Sequence, residues 1–270
     1  MTEASRLPTW FLSHGGGPWP WMDEMRPMMA GLEHSLRELP ATLPRRPRAV
    51  LMISGHWESP AFAVMSHPQP PMLYDYYGFP AHTYRVRYPA PGSPELAAEV
   101  RDLIAEADLP VTLEAARGFD HGAFVPMAVL WPEADMPLVQ LSLRAGLDPV
   151  AHLALGRALA PLRDSGVLIV GSGLSWHNLG MMGPEARAPS HAFDDWLQQT
   201  VVGSDPAERE LRLEGWRNAP AARLAHPREE HLLPLMVAAG AALDDTGDCP
   251  YRETEVFGVV VVSSFRFGAT

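Results

Sequence analysis

The sequence predicts an α/β fold: a single domain with a mixed or mostly parallel central sheet and helices on both faces. Short, almost continuously apolar runs recur along the chain, which is the pattern of strands buried on both faces. Between these runs lie longer stretches with interspersed polar residues, as in helices that pack on a sheet. Because predicted strands and helices alternate, we expect the sheet to be covered on both sides.

Seven strands are predicted from the apolar runs. They cover residues 9–13, 49–54, 61–65, 83–88, 138–143, 167–171 and 256–265. Five helices are predicted between them. They cover residues 94–107, 149–162, 191–202, 206–218 and 229–243. Proline near the start of the first, second and fourth helices supports these starts, since a missing N–H costs nothing at that position.

Proline and glycine cluster where the chain is expected to turn. The clusters cover residues 15–20, 68–71, 78–80 and 89–94. None is long enough to be an interdomain linker, and the sequence contains no repeat or low-complexity tract. We therefore expect one domain over residues 1–270.

The composition excludes several classes of protein. With 47% hydrophobic residues, eight Trp and nine Phe, the chain can build a large core. The net charge is −11 and all 21 basic residues are arginine, which argues against nucleic-acid binding and excludes lysine-imine chemistry. No apolar run of about 18 residues is present and the first ten residues lack the pattern of a signal peptide, so we expect a cytoplasmic protein without a membrane span.

The single cysteine, Cys249, limits the chemistry further. It cannot form an intrachain disulfide, and the sequence has no Cys-x-x-Cys pair for zinc binding or redox work. Any metal must therefore be held by His, Asp or Glu.

Five of the eleven histidines have settings that indicate a functional site. His14, His56 and His177 stand at the ends of predicted strands, and ligands of open α/β sheets gather beyond the carboxyl ends of strands. His121 precedes an apolar helix-like stretch, and His231 lies near a predicted helix start. Each one alone fits an ordinary hydrogen-bonded histidine, but the set predicts a shared site. His226 has an intermediate setting, and we expect structural or surface roles for His34, His67, His82, His152 and His191.

The glycine run at residues 15–17 has an alternative interpretation as a phosphate-binding loop. However, no Lys-Ser or Lys-Thr pair follows it, and the G-x-G-x-x-G spacing is absent. The histidine site is therefore the favoured interpretation.

An ordered set of short segments makes the chain resemble the class III extradiol ring-cleavage dioxygenases, specifically their DOPA 4,5-dioxygenase-like branch. In chain order the segments are Ser-His-Gly-Gly-Gly-Pro around His14, Ser-Gly-His-Trp-Glu around His56, Tyr-Asp-Tyr-Tyr-Gly-Phe-Pro from Tyr74, Tyr-Pro-Ala-Pro-Gly from Tyr88, Asp-His-Gly-Ala-Phe-Val-Pro-Met from Asp120, Trp-Pro-Glu-Ala-Asp-Met-Pro from Trp131, Gly-Val-Leu-Ile-Val-Gly-Ser-Gly from Gly166, His-Asn-Leu from His177 and Glu-His-Leu-Leu-Pro-Leu from Glu230. Any one segment is weak, whereas the ordered set covers almost the whole chain. The resemblance implies one dioxygenase-like catalytic domain.

The resemblance also implies the roles of the five histidines. His14, His56 and His231 would be the metal ligands, and His121 and His177 would line the site as acid, base or hydrogen-bond groups. In zinc-carrying proteins that resemble this chain, the counterpart of His177 also touches the metal, so His177 is a possible fourth ligand. We assign proton transfer to His177 and stabilisation of O2 to His121.

The implied ligand set departs from the wider class, in which two His and one carboxylate hold the iron. Three neutral imidazoles leave more positive charge on the metal, which favours a dianionic catecholate. Glu230 precedes His231, but neighbours on a helix point about 100° apart, so we expect only one of them to be a ligand.

The implied reaction is the opening of a catechol ring, with a DOPA-like or caffeate-like substituent, by O2. It requires Fe(II) in the active form, since zinc has no redox chemistry, although Zn(II) fits the same ligands. The partners are then a small catechol and O2, and the sequence does not indicate an oligomeric state. The alternatives are a zinc-dependent hydrolase or amidase with the same histidines, and a non-catalytic metal-binding or aromatic-binding protein.

A flat substrate suggests aromatic contacts. Five aromatic residues lie next to the site motifs, and we predict them as substrate-binding candidates, with a core position as the alternative for each: Trp19, Trp57, Phe79, Phe124 and Trp176.

Overall fold

All eight strands of the described chain belong to one sheet. The computed structural model describes residues 6–268. The strands are β1 Thr9–Ser13, β2 Ala49–Ser59, β3 Phe62–Met65, β4 Val111–Glu114, β5 Leu138–Arg144, β6 Val167–Gly173, β7 Gly247–Val256 and β8 Val260–Phe267. The helices are α1 Ala30–Glu38, α2 Pro94–Glu106, α3 His121–Leu130, α4 Pro149–Leu159, α5 Arg187–Val201, α6 Pro206–Glu214, α7 Ala222–Ala225 and α8 Leu233–Ala242.

The sheet is mixed, and its centre is parallel. The strand order is β4-β3-β5-β2-β6-β1-β8-β7. Strands β5, β2, β6 and β1 run parallel to their neighbours in this group, as does β4 to β3. The pairs β3–β5, β1–β8 and β8–β7 are antiparallel. The carboxyl ends of β1, β2 and β6 therefore meet at one edge of the sheet.

Strand β6 shows that helices cover both faces. The Ser172 hydroxyl donates a 2.5 Å hydrogen bond to Gly122 O of α3. A Cβ added at the next residue, Gly173, would lie 2.0 Å from His231 O, just before α8. Because successive residues of a strand point to opposite faces, the chain segments that begin α3 and α8 lie on opposite sides of the sheet. The predicted fold class is confirmed.

Burial explains why the central strands form. Every residue of β1 and β6 is buried, including Trp10, Phe11 and Ile169 at 0% exposure. Full burial of a large apolar side chain stabilises a fold by about 1.5–3 kcal/mol. None of the described helices is both long enough and apolar enough to cross a bilayer.

The prediction of a strand at residues 83–88 is wrong. The short 3-10 helix Ala81–Arg85 occupies its first part, within a long connection between β3 and α2. The carbonyls of Thr83 and Val86 accept hydrogen bonds from the hydroxyls of Tyr76 and Tyr74, each 2.6 Å long. Side chains thus satisfy backbone groups that a strand would pair with a neighbouring strand.

The single strand predicted at residues 256–265 is part of a hairpin. Strands β7 and β8 are joined by a tight turn in which Phe257 and Gly258 have φ angles of 53° and 73°, the pattern of a type I′ turn. The sequence did not predict β7, because its exposed and half-buried residues are mostly polar. It also did not predict the four-residue edge strand β4 or helix α1.

Several helix boundaries in the structure differ from the predicted ones. The helix predicted from residue 191 begins at Arg187, and the helices predicted to end at residues 162 and 218 finish as 3-10 turns after α4 and α6. The helix predicted over residues 229–243 begins at Leu233, so Glu230 and His231 lie in the turn before it.

Candidate metal centre and active site

The five predicted histidines line one cleft, beside the carboxyl ends of β1, β2 and β6. The cleft has a volume of about 400 Å³. Its lining comprises His14, Gly15, Gly16, Gly17, Met25, His56, Tyr76, Tyr77, Phe79, His121, Leu174, His177, Leu179 and His231. Residues that are up to 217 positions apart thus meet at one edge of the sheet, as the strand-end argument predicts.

His14 follows β1 directly and is 2% exposed. Its Nδ1 lies 2.8 Å from Gly15 O, which accepts a hydrogen bond from the neutral ring. Its Nε2 is buried and has no hydrogen-bond partner within the described chain. A buried imidazole nitrogen with a free lone pair is costly unless a cation or a donor completes it.

The rings of His56 and His231 approach each other through their Nε2 atoms. Their Nε2 atoms lie 3.1 Å apart. His231 Nδ1 faces Glu230 Oε1 at 3.1 Å, and His56 Nδ1 faces Asp75 Oδ2 at 3.5 Å. If both Nδ1 atoms carry the proton, the two Nε2 atoms present lone pairs to each other, which is repulsive unless they share a cation.

Burial keeps these three imidazoles neutral. It lowers the pKa of His14, His56 and His231 well below 6.5, and the neighbouring histidines lower each pKa further. A metal ligand must be deprotonated, so neutral imidazoles are the required form.

The spacing of these histidines is compatible with a metal ion. Two nitrogen ligands with bonds of about 2.1 Å at a right angle lie about 3.0 Å apart, close to the spacing of the Nε2 atoms of His56 and His231. The His14 ring centroid lies 5.0 Å from that of His56 and 5.3 Å from that of His231. Two sets have donor atoms that all lie within 4.8 Å of one another: His14 with His56 and His121, and His177 with Glu230 and His231.

His121 begins α3 and is held by Asp75. The backbone N–H and the ring Nδ1 of His121 both lie 2.9 Å from Asp75 Oδ1. With the proton on Nδ1, Nε2 is the free nitrogen of the ring. Asp75 lies in the Tyr-Asp-Tyr-Tyr loop, and the sequence reasoning did not select it. The only feature of the sequence that could have indicated a role for Asp75 was its position as a single acidic residue among tyrosines.

His177 and His231 form a stacked pair beside Glu230. Their ring centroids are 3.4 Å apart, with an interplanar angle of 18°. Glu230 Oε1 lies 3.2 Å from His177 Nδ1 and 3.1 Å from His231 Nδ1. The helix argument does not apply to Glu230 and His231, since both residues precede α8. That only one of them is a ligand stays a prediction. Glu230 instead faces the Nδ1 atoms, where it orients the two rings.

Burial alone would raise the pKa of Glu230, but the hydrogen bond with His177 and nearby positive charges lower it below its ordinary value. The same balance holds for Asp75, whose pKa is lowered by His121 against the effect of burial. Two carboxylates therefore stand behind the histidine rings as anions at neutral pH.

A buried polar network fixes the middle of β2 to the start of α3. Asp120 is fully buried and accepts hydrogen bonds from Ser54 at 2.8 Å, from Arg117 at 2.9 Å and from Gln140. Burial and the nearby Asp75 raise the pKa of Asp120, while Arg117 and Ser54 lower it. The network joins the segments that carry His56 and His121.

The five predicted aromatic residues divide into three groups. Phe79 lines the histidine cleft, and Trp176 lines an adjacent apolar cavity. Trp19 is fully buried and donates from Nε1 to His14 O at 2.9 Å. Trp57 lies under the Arg117 guanidinium, and Phe124 packs among Trp21, Tyr74 and Tyr76. Trp19, Trp57 and Phe124 are buried and lie outside the cleft lining, which favours the alternative of a core position for these three.

His226 lies in the core. It is fully buried, and its Nε2 lies 3.0 Å from Ser175 O. Burial lowers its pKa to about 3, so the ring is neutral.

Residues 9–264 match the family described as the catalytic LigB subunit of aromatic ring-opening dioxygenase. The chain belongs to this family. The predicted enzyme class, an extradiol ring-cleavage dioxygenase, is confirmed, and so is the resemblance to the DOPA 4,5-dioxygenase-like branch.

Individual relatives cover nearly the whole chain. It is 40% identical over 266 residues to 4,5-DOPA dioxygenase extradiol of Beta vulgaris, with 97% of each chain covered. It is 41% identical over 290 residues to dioxygenase tasH of Hapsidospora irregularis, which covers 99% of this chain and 88% of the relative. A crystal structure of an uncharacterized protein from Escherichia coli K12 superimposes with a TM-score of 0.78 at 32% identity and covers 97% of this chain and 100% of that one.

Proposed function

We propose that this enzyme binds one Fe(II) through His14, His56 and His231 and uses O2 to cleave a catechol ring beside its two hydroxyl groups. The metal assignment rests on the Nε2 atoms of these three neighbouring rings. Those of His56 and His231 are 3.1 Å apart, and that of His14 is buried without a partner. Fe(II), when bound there, supplies the Lewis acidity and the redox chemistry that ring opening by O2 requires.

His177 is the proposed base. Because its Nδ1 is directed at Glu230 Oε1, the lone pair available to a substrate is on Nε2. That atom takes a proton from a catechol hydroxyl and later returns it to the leaving oxygen. Glu230 stabilises the imidazolium that forms, since it is an anion within hydrogen-bond distance.

His121 is the proposed partner of O2. Asp75 accepts from its Nδ1, so the ring can hold a second proton on Nε2 as a cation paired with a carboxylate. From Nε2 it donates a hydrogen bond to O2. Asp75 accepts hydrogen bonds from both the backbone and the ring of His121, which fixes the direction in which Nε2 points.

The rest of the cleft positions a flat ring. Phe79, Tyr76 and Leu174 supply apolar surface beside the histidines. Such surface displaces water when an aromatic ring enters, which strengthens the polar interactions at the reacting edge. His177 as a fourth ligand is the alternative role of that residue.

The test is O2 uptake after anaerobic loading. Metal-free protein is loaded with one equivalent of Fe(II) or Zn(II) and mixed with catechol, L-DOPA or caffeate, and O2 and catechol consumption are measured together. We expect one O2 consumed per catechol with Fe(II) and none with Zn(II). Hydrolysis of ester or amide substrates by the zinc form without O2 uptake would instead establish the zinc hydrolase, and metal binding without any turnover would overturn both enzyme assignments.

A further inference from the structure

A second cavity, which we call the apolar cavity, adjoins the histidine cleft. It is lined by Ser13, Gly15, Gly16, Met29, Leu32, Leu174, Trp176, Leu179, Met182, Tyr251, Val256, Phe257, Val260 and Val262. Its walls come from α1, from the segment after β6 and from the β7–β8 hairpin. None of these lining residues is charged.

The apolar cavity and the histidine cleft share part of their wall. The two share Gly15, Gly16, Leu174 and Leu179 as lining residues. The one polar side chain contributed by β1, Ser13, donates its hydroxyl to Ser263 O at 3.1 Å. A group that extends from the cleft into this space therefore meets mainly carbon.

Exposed hydrophobic side chains mark the entrance. Leu179, at the junction of the two spaces, is 77% exposed, and Tyr77 at the cleft is 91% exposed. Phe257 on the hairpin turn is 42% exposed. Large apolar side chains left in water around a concave site are typical of surfaces that bind apolar ligands.

The charges around the cleft disfavour an anionic substituent. The lining of the apolar cavity contains no Arg, Lys or His, so it offers no cation to a carboxylate. The nearby Arg117 pairs with Asp120, and Arg228 pairs with Glu58. The carboxyl groups closest to the histidines belong to Asp75 and Glu230, whose oxygens lie 2.9 Å from His121 Nδ1 and 3.1 Å from His231 Nδ1. A buried carboxylate without a partner is strongly unfavourable.

We propose that the apolar cavity binds the ring substituent of the substrate, and that this substituent is a short, uncharged, apolar chain. The inference rests on the proposed function and specifies its substrate class. The cavity volume of about 70 Å³ sets the length, since one water needs about 10–15 Å³ of such space and about five non-hydrogen atoms therefore fit.

The first test is a homologous series. Fe(II)-loaded enzyme is assayed for kcat/KM with catechols that carry methyl to octyl groups at position 4. We expect kcat/KM to rise about fourfold with each methylene until roughly the pentyl compound, since each buried CH2 contributes a comparable factor, and then to level off or fall. Anaerobic calorimetry on the same Fe(II)-loaded protein should give a parallel fall in Kd.

A matched pair separates apolar binding from size. 4-(3-Methylbutyl)catechol and 3-(3,4-dihydroxyphenyl)propanoate have substituents of the same shape, and only the second is charged. We expect kcat/KM to favour the first by about 100-fold, as burial of an unpaired charge predicts. If kcat/KM did not change along the alkyl series, or if it favoured the propanoate, the proposed apolar subsite would be overturned.

A variant at the junction supplies the control. Leu179→Arg places a cation between the two spaces on an exposed residue, and the preference for the alkyl compound should fall at least tenfold. Leu211→Arg changes an equally exposed leucine, 69% accessible on α6 and outside both linings, and should leave the preference unchanged. Equal ratios in parent and Leu179→Arg enzyme would overturn the location of the subsite.

The two readouts separate this inference from the proposed function. If no catechol is consumed but Kd still follows chain length, the dioxygenase assignment to catechols fails and the subsite stands. If catechols are consumed but Kd is independent of chain length, the subsite fails and the function stands. If no catechol binds, both fail.

Discussion

Asp75 holds His121 by two hydrogen bonds to a single carboxylate oxygen. The backbone N–H and ring Nδ1 of His121 each lie 2.9 Å from Asp75 Oδ1, and Asp75 Oδ2 lies 3.5 Å from His56 Nδ1. One carboxylate thus sets the rotation of His121 and borders the ring of a proposed ligand. Because Asp75 is an anion, it also stabilises positive charge on His121.

The variant Asp75→Asn should keep the fold and the iron but lose rate. The amide retains an acceptor for the backbone N–H, whereas it removes the charge that supports a second proton on His121. We expect kcat to fall about 10- to 100-fold, the usual effect of losing such a supporting group. Iron content and kcat are measured together, with Asp195→Asn, an exposed partner of Arg252, as the control. An unchanged kcat would show that Asp75 has no part in the reaction.

The three proposed ligands should each be needed for iron. Replacement of His14, His56 or His231 by alanine removes one of three protein ligands and much of the binding free energy. We expect less than about one tenth of the parent iron content after desalting, with loss of turnover. His34→Ala, an exposed histidine on α1, is the matched control. A variant that retains both iron and rate would remove that residue from the ligand set.

His177→Ala distinguishes the two roles proposed for this residue. A base should be dispensable for iron, so the variant keeps stoichiometric Fe(II) while ring cleavage falls by about 10²- to 10⁴-fold. A fourth ligand would lose iron as well. Full iron with a rate within a few-fold of the parent would contradict both roles and move proton transfer to His121.

Gly122 allows α3 to approach β2 closely. A Cβ at this position would lie 2.5 Å from Ser54 Oγ and 2.9 Å from His56 Cδ2. Gly122→Ala should therefore lower the free energy of unfolding by about 1–3 kcal/mol, although alanine is the better helix former. Displacement of His56 should also weaken iron binding. Denaturant unfolding and iron titration check this, with Gly215→Ala, where the nearest atom is 3.4 Å away, as the control. Equal stability and equal iron affinity would contradict the close-approach argument.

The sequence predicted the meeting of the histidines because the central strands are apolar throughout. Buried parallel strands are recognisable in a sequence as continuous apolar runs. The residues that follow such strands lie at the same edge of the sheet, so the prediction placed His14, His56 and His177 together. Even there the detail changed, since β2 continues past His56 with a shift in register between Ile53 and Glu58.

The supporting groups were not predictable in the same way. Asp75 lies in a loop without periodicity, and its contact with His121 depends on the fold of the whole connection between β3 and α2. Glu230 was assigned to a helix because the apolar run that follows it is helical, but α8 starts three residues later. Strand β7 was missed because an edge strand has no buried pattern on both faces.

His152 should make the protein less stable in acid. It is fully buried on α4, its Nδ1 lies 2.7 Å from Asp148 O, and its Nε2 accepts the N–H of Arg144 at 3.2 Å. The contact with Arg144 requires the neutral ring, since a protonated Nε2 cannot accept a hydrogen bond, and burial lowers the pKa of His152 to about 4. Below pH 6.5 the unfolded chain binds a proton that the folded protein does not, so stability is lost as the pH falls from about 6.5 to about 4. The loss is about 1.4 kcal/mol for each pH unit, or about 3 kcal/mol over the whole window.

The variant His152→Gln removes this titration. Its free energy of unfolding should be lower than that of the parent at pH 7, because the buried contacts are disturbed, but the further loss between pH 7 and pH 4.5 should be smaller by about 2–3 kcal/mol. Denaturant unfolding at both pH values measures the difference, and the exposed His34→Gln is the matched control. Comparison of each variant with the parent at the same pH cancels the contribution of the metal site, which all three proteins share. Parallel pH dependence in parent and His152→Gln protein would show that the ring of His152 does not resist protonation in the fold.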